Sequence, residues 1–245
     1  MKSRRKYQLS DLERWFSAPR MSRFKSSDKA EDLYVWNTRV AKALLEDIQH
    51  IEVLLRTTID RAMSAENGDD WIVDISYFDS NYRGRGRVSN GHDASYTRNV
   101  YKAIQRSGQP YSTATKGRII AELSFDHWRF LLTASKEPTA WMYIKRHLPD
   151  YTVGGKPRQD FENAVIYALY LRNRLSHHEP VTRRTLREEY LYLREATQKL
   201  NQLAQWLDAD AAVWIRSHSR VQKLWRSRPR DELRDALWLR KHPLY

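Results

Sequence analysis

Arg172, Asn173, His177 and His178 lie close together in the run Leu171-Arg172-Asn173-Arg174-Leu175-Ser176-His177-His178-Glu179-Pro180, at the end of an apolar helical stretch. A guanidinium grips a phosphate through two parallel hydrogen bonds and stays charged, while an imidazole moves protons near neutral pH. A fixed cation beside a titratable ring therefore suits phosphodiester chemistry. Spacing alone also permits a plainer reading, with Arg172 as an ion-pairing helix residue and the histidines as helix-end residues. Glu179 reads as a polar helix-end group rather than an imidazole partner. A second Arg-x4-His pair, Arg87 to His92, falls in a Gly-rich segment that would not hold two groups in register, and it is set aside.

The net charge of +13, from 43 Lys and Arg against 30 Asp and Glu, points to an anionic partner. Basic clusters stand at Lys2 to Lys6, at Arg83, Arg85 and Arg87, at Arg183, Arg184 and Arg187, and from Arg216 to Arg230, interleaved with nine Trp and fourteen Tyr. Cationic and aromatic surface together is what a sequence-tolerant, single-strand nucleic-acid binder carries. RNA contacts are expected from Arg174, Arg183, Arg184 and the Arg83-Gly84-Arg85-Gly86-Arg87 tract, which otherwise reads as a solvated linker.

The elements that must position these residues are helices. Leu33, Trp36, Val40, Leu44, Ile48, Ile51, Leu55 and Ile59 recur at three- and four-residue steps and predict one long amphipathic helix over 28–63, capped by Ser26 or Ser27 and ended at Asn67-Gly68. A short helix is expected over 10–17 with Ser10 as N-cap. Further helices are expected over 93–107, 116–134, 138–147, 158–177 and 182–207, with one or two more in 209–240. Residues 79–91 read as a loop. Long period-two alternation is missing, so the fold class is all-α. Phe125, Trp128, Phe130, Trp141 and Tyr143 fall at helical spacing and read as core rather than a stacking platform for bases. Tyr167 and Tyr170 read as core as well.

No cysteine is present, which rules out disulfides and thiolate metal sites. The histidines do not form ligand-spaced clusters, so neither metal nor cofactor is expected. No run approaches a membrane span, and a soluble cytoplasmic protein without a membrane partner is expected.

Arg172-Asn173-x-x-x-His177 resembles the Arg-x4–6-His signature of HEPN-superfamily ribonucleases. The longer string Leu171–Val181 is similar to the Abi-like (abortive infection) family within it. A second block, Gly117-Arg118-Ile119-Ile120-Ala121-Glu122-Leu123-Ser124-Phe125-Asp126-His127-Trp128, resembles that family's Gly-x-Ile-x-Ala-Glu-Leu-Ser-Phe-x-x-Trp block. Asp126 stands where the family often has Gly, and with His127 it is expected to alter the surface near the cleft. The resemblance implies a HEPN-like helical bundle over 28–207, with a basic segment and short helix before it (1–27) and a basic helical extension after it (208–245). It implies a homodimer through the motif helix and metal-independent RNA cleavage by 2′-hydroxyl attack. Arg172 would hold the scissile phosphate, Asn173 would orient the site, and His177 would transfer the proton, with His178 as its competitor. A role in anti-phage defence or as a toxin follows from the likeness. The alternative is a non-catalytic RNA-binding module governed by a structured RNA or an antitoxin partner.

Overall fold

The computed structural model describes residues 7–25, 29–74, 96–109, 114–152, 155–229 and 233–245. Among them the protein is all-α and holds no β-strand. Chain order is α1 (Leu9–Phe16), α2 (Ala18–Met21), α3 (Ala30–Asn67), α4 (Tyr96–Arg106), α5 (Lys116–Glu122), α6 (Phe125–Phe130), α7 (Met142–Ile144), α8 (Pro149–Thr152), α9 (Arg158–Ser176), α10 (Leu186–Leu207), α11 (Ala209–His218), α12 (Val221–Arg226) and α13 (Leu233–Lys241). No helix of the described residues is long and apolar enough to cross a membrane. The chain divides into two compact units. One gathers Met1–Gln49, Tyr170–Asn201 and Trp214–Tyr245, the other His50–Leu169 and Gln202–Val213.

All eight apolar positions read from the α3 periodicity are buried. The helix runs 38 residues and ends where expected, with Gly68 at φ 78° taking a left-handed conformation that costs other residues more. The proposed caps Ser26 and Ser27 lie outside the described residues, as does the 79–91 loop. α1 starts earlier than its spacing suggests. Gln8 is its N-cap, in a reciprocal capping box with Asp11.

In the first unit, α3 is pinned by polar side chains on its own buried stripe. The Trp36 indole donates to the Leu224 carbonyl at 2.7 Å. Asn37 Oδ1 accepts from the backbone N–H groups of Val181 (2.8 Å) and Thr182 (3.2 Å). Those two bonds hold the extended chain that leaves the motif. α10 therefore begins only at Leu186, four residues beyond the expected start, behind a Thr185-x-x-Glu188 capping box: the Thr185 hydroxyl accepts from Glu188 N–H at 3.1 Å and the Glu188 carboxylate from Thr185 N–H at 3.3 Å.

Asp47, also on the stripe, accepts from the Ser219 hydroxyl at 2.7 Å. Burial pushes its carboxyl up from 3.8 to about 7; the Ser219 bond and Arg220 oppose that, and Glu46 adds to it. A carboxyl raised on folding stabilises the protein most below its unfolded value and loses that contribution as pH climbs through about 7. Asp47→Asn is expected to gain stability over wild type between pH 5 and pH 8, by on the order of 2–4 kcal/mol at the upper end. Urea unfolding of the pair at both pH values checks this; an unchanged difference would overturn it.

The second unit closes on an aromatic cluster. The Tyr151 ring centroid lies 5.3 Å from Phe161 and 5.0 Å from Trp206, and Trp141 lies 5.6 Å from Phe161. Phe125 and Trp128 are buried as well, which bears out their reading as core. Arg158 pairs with Glu137 and Glu162 at the start of α9. Two expected helices are interrupted here. The 116–134 stretch breaks at Leu123-Ser124, both extended, because Ser124 supplies the N-cap position of α6. The 138–147 stretch is a chain of short turns, with Pro138 in the first turn of the opening one, where its missing N–H costs nothing.

Candidate active site

The last turn of α9 carries Arg172, Asn173 and Ser176, and all three are exposed. Leu171 and Leu175 are buried, so helical periodicity turns the motif's polar residues to solvent. The Arg172 guanidinium donates to Asn173 Oδ1 at 3.1 Å. His177 and His178 follow, both exposed.

The helix ends in a Schellman pattern. Glu179 N–H donates to the Arg174 carbonyl and His178 N–H to the Leu175 carbonyl, both at 3.0 Å. This geometry requires a left-handed residue at the position His178 occupies, and its φ is 60°. Glycine usually fills that position, and a side chain there stores strain. Two contacts lock the turn. Glu179 pairs with Arg174 at 2.7 Å, as a helix-end residue should, and the Arg20 guanidinium donates to the His178 carbonyl at 2.8 Å. His178→Gly is expected to raise stability by about 0.5–1 kcal/mol, relief of strain outweighing the added freedom of the unfolded chain. Denaturant unfolding checks it, and a loss of stability would show that the imidazole itself holds the turn.

Beside the turn opens a cleft of about 670 Å³, with His178 and Glu179 on its rim. Its walls include Trp15, Phe16 and Tyr34, and Arg14, Arg20 and Lys42 supply positive charge. Phe16 and Tyr34 stack at 5.0 Å with 28° between planes, and Trp15 is 46% exposed. Asn37, which ties down Val181 and Thr182, also lines it. Aromatic faces beside cations form a surface able to take a base and its phosphate.

The expected RNA-contacting cations separate on inspection. Arg184 is exposed. Arg183 donates to the carbonyls of Pro180, Val181 and Thr182 at 2.9–3.1 Å and lies 3.7 Å over the Tyr192 ring, so its hydrogen bonds bind the motif's exit chain. Arg174 is likewise engaged, by Glu179 and by the Tyr170 hydroxyl at 2.8 Å. Arg83, Arg85 and Arg87 lie outside the described residues. Tyr170, expected in the core, is 53% exposed because it sits on the Arg174 face of α9. His127, expected at the surface, is fully buried in the second unit, and burial pushes its pKa down to about 3. It is a neutral core residue, while Asp126 pairs with Arg129 in the open. Among the described residues no three His, Asp or Glu side chains group as metal ligands would.

Sequence reading missed Arg14, Trp15, Phe16, Arg20, Tyr34, Asn37 and Lys42. Only Asn37 left a signal, a polar residue on the apolar stripe between Trp36 and Val40.

The model of a family described as Abi-like protein matches residues 3–182, about three quarters of the chain. The chain belongs to the Abi-like protein family. The match takes in α1, α2, the whole of α3, the Gly117–Trp128 block and the motif as far as Thr182. No curated protein and no solved structure matches the chain. In this Abi-like chain the first sequence block supplies buried Ile119, Leu123, Phe125 and Trp128, while the second buries Leu171, Leu175 and Val181 and turns Arg172, Asn173, Ser176, His177 and His178 to solvent.

Proposed function

We propose that this Abi-like protein is a metal-independent endoribonuclease of the HEPN type, acting in abortive infection or as a toxin. The observation that carries the reading is the exposed Arg172–Asn173 pair one turn ahead of His177 and His178, the second of which lines an aromatic, cationic cleft. Arg172 would hold a phosphate oxygen as negative charge builds on phosphorus. His177 would take the proton from the ribose 2′-hydroxyl or return one to the departing 5′-oxygen. The 2′-oxygen bonds to phosphorus, the bond to the 5′-oxygen breaks, and a 2′,3′-cyclic phosphate remains. One chain described here contributes one motif. A homodimer through the α9 motif helix would bring a second Arg and His into reach, one serving as base and the other as acid. Exposed Tyr170 on the same helix is available to such a contact.

The test is incubation of purified protein in EDTA with a mixed RNA pool. Cleavage leaving cyclic-phosphate ends supports the reading. RNA retained intact, with affinity falling steeply as salt rises, would favour instead a binding module held by a regulatory RNA or an antitoxin.

A further inference from the structure

Beyond the cleft beside the motif, the first unit carries a second depression of about 630 Å³. Its walls include Arg39, Arg220 and Lys223, with the hydroxyl-bearing Thr38 and Ser227 among them. The two depressions meet: Thr38 and Lys42, one turn apart on α3, line both. Arg39, Lys42 and Lys223 are exposed. Arg220 is held by Glu46, which it contacts through two guanidinium nitrogens. Positive charge therefore lines both depressions, from Arg20 and Lys42 in the first, where Glu179 is the one carboxylate among the lining residues, to Lys42, Arg39 and Lys223 in the second.

Resting on the ribonuclease reading above, we propose that these two depressions form one track for single-stranded RNA. The aromatic cleft seats an unpaired base beside the scissile linkage, and the cationic groove holds the phosphates farther along. The chemistry of the walls selects the strand type. Trp15, Phe16 and Tyr34 offer ring faces, and a base presents its own face only when it is unstacked from its neighbours; in a duplex the faces are covered and only edges and backbone are open. Exposed lysine and arginine set along a groove follow a phosphate backbone without reading its sequence. The track also gives work to residues beyond the family match. Arg220 and Lys223 come from chain after Thr182, and α12 is anchored to α3 through the Trp36–Leu224 bond.

The experiment measures binding of a fluorescent single-stranded RNA 12-mer by anisotropy across a salt series. Every protein carries Arg172→Ala, so that any cleavage does not distort the curves. Lys42→Glu/Lys223→Glu is compared with Arg118→Glu/Lys145→Glu, an equal charge change at exposed positions of the second unit. The track variant is expected to bind at least about tenfold more weakly than the control, with its log K against log salt slope shallower by about 1.4, the release of two phosphate contacts. Trp15→Ala is expected to weaken binding about five- to tenfold with little change in salt slope, as loss of stacking rather than charge. A duplex of the same sequence should compete poorly. Equal losses in track and control variants, or equal competition by duplex, would overturn the proposal. These readouts need no catalysis, so a protein that cuts no RNA yet shows them would sink the ribonuclease reading and leave the track standing.

Discussion

Arg172→Ala is expected to lower RNA cleavage on the order of 10²–10³-fold, and His177→Ala on the order of 10²–10⁴-fold, while thermal unfolding stays where it is in wild type. The two losses have different physical origins. In the proposed reaction Arg172 would place a fixed positive charge where the phosphorane gathers negative charge, and such a preorganised donor acts mainly in the transition state. Arg172→Lys keeps the charge but loses the planar fork, so partial activity is expected. His177 would transfer the proton in that reaction, and its loss should flatten one limb of the pH–rate profile as well as lower the rate. Neither substitution should disturb the fold: both side chains are exposed, and among the described residues the Arg172 side chain bonds the neighbouring Asn173 amide. The double variant should be scarcely worse than the more damaged single one, because residues acting in one step are not additive. His178→Gly should retain far more cleavage than His177→Ala. The reverse order would move the proton-transfer role to His178, and full activity in both Arg172→Ala and His177→Ala would sink the site.

The largest expected effect on stability lies away from the chemistry. Glu189 on α10 is completely buried and bonds Arg228 at 2.5 Å, with a further bond from Arg183 N–H at 3.3 Å. Burial raises its carboxyl above the ordinary value despite the pull of Arg228. Desolvation thus outweighs attraction, and the intact pair adds little net stability; breaking it is another matter. Arg228→Met should cost about 3–5 kcal/mol, lowering Tm by roughly 10 °C for a chain of this length. The cost should grow with pH, since without its cation Glu189 stays protonated when folded but ionises when unfolded. Glu189→Leu/Arg228→Met should recover most of the loss. Differential scanning of the single and double variants decides it; a shift under 2 °C for Arg228→Met, on the order of 1 kcal/mol or less, would show that the carboxylate is not stranded. Being the less stable protein, the single variant should lose RNA cleavage at a lower temperature than the double.

Local patterns carried most of the helix reading. The α3 stripe, the core role of Trp128 and Trp141, and the exposure of Arg172 all follow from a 3.6-residue repeat that keeps one face apolar. The errors were local too. A serine at an N-cap position split one expected helix, and an unread Thr185-x-x-Glu188 box placed the start of α10. Tyr170 and His127 exchanged their expected places because helical spacing says which residues share a face, not which face meets a neighbour.

The sequence by itself thus determined an all-α chain, a basic surface, and a motif helix with its Arg, Asn and His residues turned outward. Only the tertiary structure decided what surrounds that motif. Arg20 reaches the His178 carbonyl across 158 residues, and Asn37 reaches Val181 across 144. The aromatic cleft comes from α1 and α3, and the cationic groove joins α3 to α12. Helical periodicity is set by bonds four residues long, so it is written in any short window. Contacts between distant segments depend on the path of the whole chain, where an arginine that will bond a carbonyl looks like any other surface arginine.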